Sequence, residues 1–549
     1  MRRVRKSPKM LKANAIQYEG MTIQVFPKNT LFYGDNLDVL QRHFPPECID
    51  LIYLDPPFNS KADYNVLFRE RSGKESVAQA QAFSDSWTWD KSAEDTYVKI
   101  QENPNLGKTI TFLHEYLGKN DFLAYLVMMT VRLNELHRVL KPTGSIYLHC
   151  DSTASHYLKI VMDGIFGVKS FKNEIVWRRS FTHGDTKQGA KHFGRCTDSL
   201  LFYVKTDSAT WNPQYTPYSD EALKRDYKHI EEGTGRVYRL APVDGPGGAS
   251  KGNAYYEFLG VKGYWRFTQE KMQKLYEANK IVKSSTGKTL SQKMYLDESK
   301  GRPVDNLWDD INRISPTSSE RQGYPTQKPQ ALLERLIRAS SNEGDLVLDP
   351  FCGCGTSILA SQKLRRRWVG IDVTHLAISL IRSRLRKVHV YADKDYMIIG
   401  EPVDLAGAMK LAEENKYQFQ YWAVSLLDGF PVGESSKNPF GKKGADKGID
   451  GWITFREGNN IDLQRIVIQV KGGHNVGAGE VRDLIGTVQN TQSAMGVLIT
   501  LDEPTQPMKI AGMEAGYYES PTWGHKYPKI QISPIAELLQ KKKPLIPTH

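Results

Sequence analysis

Cysteine is scarce in this sequence. Cys48, Cys150, Cys196, Cys352 and Cys354 are spread over 549 positions, too few and too scattered for a disulfide framework. Cys352 and Cys354 form a C-x-C pair with no second pair elsewhere, so a zinc site is not expected; a reducing cytoplasmic setting is. Long hydrophobic runs are absent too. The most apolar stretch, FLAYLVMMTV at 122–131, is too short to span a bilayer, so no membrane partner is expected. The start, MRRVRKSPKMLKANA, is basic, but no apolar segment follows as a secretory signal requires. It reads as a flexible arm at 1–24 that can touch phosphates. A P-loop is missing. Gly-Lys-Thr occurs at 107–109 and 287–289, but Glu102 and Val282 stand where the first glycine is needed. No ATP motor is therefore expected in this chain. Acid is in deficit: 74 Lys and Arg face 62 Asp and Glu, a net charge of +12. That excess favours a polyanionic partner, nucleic acid first.

What is present is an alternation of strands and helices. TLFYGDN, LDVLQRHF and DLIYLDPP read as strand, helix and strand. Leu123, Leu126, Val127, Val131, Leu133, Leu136 and Leu140 follow helical spacing and predict an amphipathic helix over 121–140 with one buried face. Lys141-Pro142-Thr143-Gly144 is expected to stop it. SIYLHCD then reads as a strand, and a helix follows near 154–166. This alternation implies a parallel α/β sheet. From about 175 to 325 aromatics, glycines and bases mix without period, as in an irregular inserted domain. The α/β pattern resumes at 344 and gives way after about 395 to a less regular connector. A third region has a helix (YQFQYWAVSLL), strands (GWITFRE and RIVIQVKGG) and a further helix–strand unit.

LVLDPFCGCGTSILA places Gly353 and Gly355 between a buried strand and a helix. Glycine lets the backbone approach a ligand, and the helix start offers free N–H groups. Asp372 ends the next strand, 23 positions after Asp349, where an acid can accept both hydroxyls of a ribose. The spacing F-x-G-x-G is not the dinucleotide G-x-G-x-x-G. It suits S-adenosylmethionine, which has a ribose but no phosphate. Taken alone, the glycine pair also fits a plain strand-to-helix turn.

Asp55-Pro56-Pro57-Phe58 closes the strand DLIYL. By itself it fits a rigid cap. It also fits a chemistry. Methylating an exocyclic base amine requires a lone pair that is delocalised into the ring. Two acceptors on the amine hydrogens would localise it: the Asp55 carboxylate and the Pro56 carbonyl, held by Pro57. Phe58 would stack on the base once it had left the duplex. DPPF resembles the catalytic motif of DNA amino-methyltransferases, and DPFCGCGT their cofactor loop. The order, catalytic motif first, is similar to the β class. YGDN, with Asp35, resembles the motif beside the cofactor adenine. TQKP, with Thr326 and Lys328, resembles the one closing over its methionine end. The resemblance covers about 25–395. It implies a Rossmann-like class I methyltransferase sheet with a catalytic half at 25–174, a target-recognition insert at 175–325 and a cofactor half at 326–395. It assigns Asp35, Thr326, Lys328, Asp349, Phe351, Gly353, Gly355, Thr356 and Asp372 to S-adenosylmethionine. Double-stranded DNA is the implied partner; a homodimer stays open. Asp55 favours adenine N6, although cytosine N4 stays open as well. Cytosine C5 chemistry is not expected, because no cysteine follows a proline. Specificity is expected from Trp177, Arg178, Arg179, Phe181, Lys187, Lys191 and Arg195.

Past a connector at 396–414, Gln469 and Lys471 lie two apart on one strand face, with Asp450 before the preceding strand. An acid and an acceptor can hold Mg²⁺, and a lysine can activate water for phosphodiester cleavage. This Q-x-K pattern resembles the Mrr-like variant of the PD-(D/E)xK nucleases. It implies a restriction-endonuclease-like α/β domain at 415–549, with Asp450 and Gln469 as metal ligands and Lys471 as a catalytic residue. The family usually carries a glutamate on the preceding helix; here Gln418 and Gln420 stand there. Glu434 is a substitute ligand, and Asp446 competes for the role of Asp450. An inert fold kept for DNA binding or packing is the alternative. The whole reads as a restriction–modification type protein.

Overall fold

A computed structural model of the chain describes residues 26–57, 88–180, 191–315, 317–322, 324, 326–431, 448–456, 463–522 and 524–547. Nine strands build the central sheet: β1 (Asn29–Tyr33), β2 (Ile49–Leu54), β3 (Leu140–Cys150), β4 (Phe171–Arg178), β5 (Thr197–Val204), β6 (Leu307–Trp308), β7 (Leu346–Asp349), β8 (Arg367–Asp372) and β9 (Tyr396–Ile399). Their order is β6-β4-β5-β3-β2-β7-β8-β1-β9. The run from β3 to β9 is parallel, and β5 pairs antiparallel with both β3 and β4.

Among its helices are α1 (Asn36–His43), α2 (Asp121–Val139), α3 (Ser155–Phe166), α4 (Gln330–Ser340), α5 (Thr356–Lys363) and α6 (His375–Lys387). Asn120 caps α2 by accepting from the Leu123 amide at 2.9 Å. One buried face was expected for α2. Instead every residue from Leu123 to Thr130 is buried, because helices and sheet press on it from several sides; Val131 is only half-buried. The helix stops at Val139, as Lys141–Gly144 was expected to make it, and that stretch is itself extended, as the first part of β3. Lys141 Nζ donates to both oxygens of Asp50 at 2.7 and 2.8 Å, holding this entry against β2. Residues 396–399, expected within a connector, form the edge strand β9 beside β1. Four residues are too few to show a period in sequence.

Strands β4 and β5 fall in the stretch read as an irregular insert, yet they extend the central sheet. The part that clusters by itself is Pro213–Asp305. That unit holds an antiparallel sheet of Ile281–Lys283, Leu290–Tyr295, Val237–Pro242 and His229–Ile230, in that order, and a hairpin of Ala254–Phe258 with Val261–Trp265. Its own small core gathers Val243, Phe258, Trp265, Met272, Ile281 and Leu290.

After β9 come α7 (Leu405–Glu414), α8 (Lys416–Leu426) and a five-stranded sheet in the order β10 (Phe430–Pro431), β11 (Gly451–Arg456), β12 (Leu463–Lys471), β13 (Met495–Thr500) and β14 (Ile530–Pro534). β12, β13 and β14 are parallel, and β10 and β11 antiparallel. α9 (Ala478–Asn490) connects β12 to β13 and packs Val481, Leu484 and Val488 on Val467 and Leu498. Among the described residues no helix is long and apolar enough to cross a membrane.

Candidate active site

The register of the parallel strands creates the site. Leu348 of β7 pairs with Ile52 of β2, and Asp349 pairs with Gly370 of β8. Asp349 is therefore level with Tyr53 and Gly370. Asp55 and Asp372 both lie two residues further along the flanking strands, on the same face. β7 stops between them, so the two carboxyl groups flank a gap of two strand spacings, about 10 Å. The carboxyl ends of the strands in an open α/β sheet are where ligands bind.

The loop leaving β7 closes one side of this gap. Gly353 has φ +48° and its N–H donates to Asp372 Oδ2 at 2.9 Å. A Cβ there would stand 3.2 Å from the Tyr324 ring. Gly355, at φ +77°, precedes α5, and a Cβ would meet Ile381 at 2.6 Å. Asp372 Oδ1 accepts from the Thr374 hydroxyl at 2.8 Å and its amide at 3.0 Å. Burial pushes Asp372 up to about 6 against these hydrogen bonds. Asp349 turns inward: Oδ1 accepts from the Phe351 amide at 3.0 Å and Oδ2 from Ser357. Burial pushes it up to about 7. Its partners make it a brace for the glycine loop.

The other sequence-predicted residues divide. Asp35 caps α1 and meets Arg132 at 2.5 Å. Beside it, Asn36 Nδ2 donates to the Pro350 carbonyl at 2.8 Å, tying the YGDN turn to the glycine loop. The Thr356 hydroxyl is buried against Cys354 Sγ at 3.7 Å and Arg384 Nη1 at 3.5 Å. Phe351 packs against the main core. Thr326 is exposed. Lys328 is brought to the Asp-Pro-Pro-Phe motif: its Nζ donates to Asp55 Oδ2, with both side chains largely buried. Pro56 and Pro57 follow Asp55 directly. Phe58 lies outside the described residues.

Two features escaped the sequence reading. Tyr324 lies over Gly353, and burial, then Asp372 and, more weakly, Asp55 raise its phenol well above the ordinary range. It stands two residues before Thr326 of TQKP, and that nearness was its only signal. The second is a buried chain beneath Asp55. Tyr53 Oη lies 3.0 Å from His149 Nδ1, His149 Nε2 3.2 Å from Asp198, and Asp198 3.1 Å from Arg179. Burial opposes ionisation of Asp198, but the hydrogen bond with His149 and the Arg179 charge hold it below the usual carboxylate range. The chain crosses β2, β3 and β5, so no local spacing could reveal it.

A family model described as DNA methylase matches residues 49–382. The chain belongs to this DNA methylase family. Type II methyltransferase M.EcaI of Enterobacter cloacae is 32% identical over 265 residues, 48% of this chain and 57% of that protein. The type III restriction-modification enzyme StyLTI Mod subunit of Salmonella typhimurium is 28% identical over 61% of this chain and 50% of that protein. The chain thus spans little more than half the length of these relatives. DNA adenine methyltransferase YhdJ of Escherichia coli is 24% identical over 67% of this chain and 85% of that protein. A second model, described as NACHT-associated inactive Restriction Endonuclease 1, matches residues 439–540.

Among the residues expected to face DNA, Trp177 is engaged internally, while Arg178 is half-buried and Arg179 exposed. Trp177 is buried and donates to the Ile311 carbonyl at 2.8 Å, Arg178 pairs with Asp309 at 3.4 Å, and Arg179 is held by Asp198. Lys191 and Arg195 are exposed, and Phe193 between them is 98% exposed. Phe181 and Lys187 lie outside the described residues.

The C-terminal sheet brings Asp450, Gln469 and Lys471 together differently. Asp450 Oδ2 accepts from the Val470 amide at 2.7 Å, so its carboxylate sits at the strand position between the other two. Gln469 is buried, with Nε2 3.4 Å from Thr487 of α9. Among the described residues no group of three or more His, Cys, Asp or Glu could hold a metal ion. Asp446 and Glu434 lie outside the described residues. Gln418, in the position of the expected glutamate, is buried and accepts from the His375 amide of α6 at 2.6 Å.

Proposed function

We propose that this chain methylates adenine N6 in double-stranded DNA, using S-adenosylmethionine, in a restriction–modification setting. One observation carries the reading: Asp55 and Asp372 stand level on either side of the end of β7, with the glycine loop leaving β7 between them. The residues suit this cofactor. Asp372 Oδ1 is taken up by Thr374 and Oδ2 accepts from Gly353, which leaves a lone pair on Oδ2 for a ribose hydroxyl, and a carboxyl titrating near 6 is ionised at neutral pH. Gly353 lets the Tyr324 ring approach the loop, where a Cβ would press on it at 3.2 Å. No phosphate-binding spacing is needed. When bound, S-adenosylmethionine would supply an electrophilic methyl group on sulfur.

The chain's own residues do the rest. Asp55 and the Pro56 carbonyl accept the two amine hydrogens and turn the nitrogen lone pair toward the gap. Pro57 holds that carbonyl in place. Lys328 holds Asp55 oriented until the base enters, then yields one carboxylate oxygen to the amine. The proton lost from nitrogen after transfer passes to Asp55 or to solvent. Asp at position 55 supports adenine over cytosine N4. The net charge of +12 and the exposed Lys191, Phe193 and Arg195 suit phosphate contact and base stacking.

For the C-terminal domain, the inert alternative is favoured over a Mg²⁺-dependent nuclease. Gln418 is committed to α6, Asp450 spends one oxygen on backbone, and the matching model is described as inactive. The test is direct. DNA from cells expressing the protein, sequenced with modified-base detection, should carry N6-methyladenine at one recognition sequence. Unmodified adenine there, or N4-methylcytosine instead, would overturn the adenine reading.

A further inference from the structure

The C-terminal domain meets the methylase sheet on α6, the helix that begins three residues after Asp372. We infer that Gln418 is a positioning residue for the cofactor pocket, and that the C-terminal domain thereby serves methyl transfer. This rests on the methyltransferase reading above.

The first amide of a helix has no partner within the helix and must find one outside. In α6 that amide belongs to His375, and Gln418 Oε1 takes it at 2.6 Å. The neighbouring cap, Thr374, accepts from the Ala377 amide at 3.2 Å and donates to Asp372 at 2.8 Å. Both hydrogen bonds therefore hold the same turn, one from the C-terminal domain and one from the ribose acid. The His375 ring reaches the other way and stacks on Tyr33 at 3.7 Å. Tyr33 precedes Gly34, whose N–H donates to the Asp372 carbonyl at 2.9 Å. His375 thus joins Gln418, Tyr33 and the Asp372 turn in one buried junction.

Gln418 is itself fixed. Its amide donates to the Asn415 side chain at 3.0 Å, which caps α8. α8 is held on α6 by further bonds: Ser379 to the Tyr421 carbonyl at 3.2 Å and Arg382 to Ser425 at 3.3 Å. Just past α8, Asp428 gathers Arg382, Arg386 and Lys543. One carboxylate facing three cations is a clamp that a loosely tethered domain would not need. The helix on which a nuclease glutamate was expected is thus spent on a different task.

The test uses full-length protein and S-adenosylmethionine titrated by calorimetry. Gln418→Met keeps the length but removes the acceptor; Gln418→Glu keeps an acceptor. Gln418→Met should weaken binding about fivefold to tenfold, the scale of one buried hydrogen bond. It should raise KM for S-adenosylmethionine with kcat and KM for DNA little changed, and Gln418→Glu should restore most of the loss. Amide exchange at His375 should quicken in Gln418→Met alone. If Gln418→Met folds poorly, Asp428→Asn loosens the same docking and should weaken binding in the same direction. Wild-type binding with unchanged affinity in both variants would overturn the inference while leaving the methyltransferase standing. Absence of binding by the wild type would overturn both.

Discussion

The methylase sheet and the C-terminal sheet both carry an acid beside parallel strands, yet they use it in opposite ways. In the first, β7 ends at Asp349, two residues short of the level of Asp55 and Asp372, which stand on either side of the gap. In the second, Asp450 bonds to the backbone of β12, and Gln469 is covered by α9. The lesson is that a chemically suggestive pattern becomes a candidate site where the strand ends leave room for a ligand.

The sharpest way to break this contrast is Asp55→Ala. Methyl transfer should fall by at least about a thousandfold, since the acceptor is lost only at the reacting nitrogen. Cofactor affinity should barely change, measured by calorimetry alongside single-turnover rates. The matching experiment on the other sheet is incubation of unmethylated plasmid with wild-type protein and Mg²⁺. No cleavage should appear; cutting that Lys471→Ala abolishes would erase the contrast.

Lys328→Ala should come next. Removing one partner of a largely buried ion pair leaves Asp55 uncompensated. A fall of about ten- to a hundredfold in kcat/KM is expected, followed by initial-rate assays.

Cofactor binding should also depend on pH. Asp372 titrates near 6, raised from an ordinary 3.8 by burial. Ribose hydroxyls need its ionised form, so affinity should weaken as pH falls through 6. Stability of the free protein should run the other way. A carboxyl with a raised folded-state pKa contributes stability that is present below about 4 and lost as pH rises through 6. Asp372→Asn should therefore raise Tm at pH 8 but not at pH 4, while abolishing the pH dependence of binding.

The smallest effect is expected for Gly355→Ala. The added methyl meets Ile381 at 2.6 Å and φ is +77°, so a loss of about 1–3 kcal/mol in stability should follow. Thermal melts with and without S-adenosylmethionine would show whether the cofactor recovers part of it.

Much of the architecture was open to reading in the chain alone. The alternation of apolar runs and the glycine loop set the parallel sheet, because burial and backbone freedom act over a few residues. Asp55, Gly353 and Asp372 were identifiable for the same reason. Tertiary packing decided the rest. Only register shows that Asp55 and Asp372 stand level across β7, and only the folded chain brings Lys328 to Asp55, Tyr324 over Gly353, and Gln418 to His375. It also buried Trp177 and paired Arg178 with Asp309 and Arg179 with Asp198. Hydrogen bonds and ion pairs between residues tens or hundreds of positions apart leave no local period. Their partners are chosen by which strands become neighbours, and that choice is made by the whole core at once.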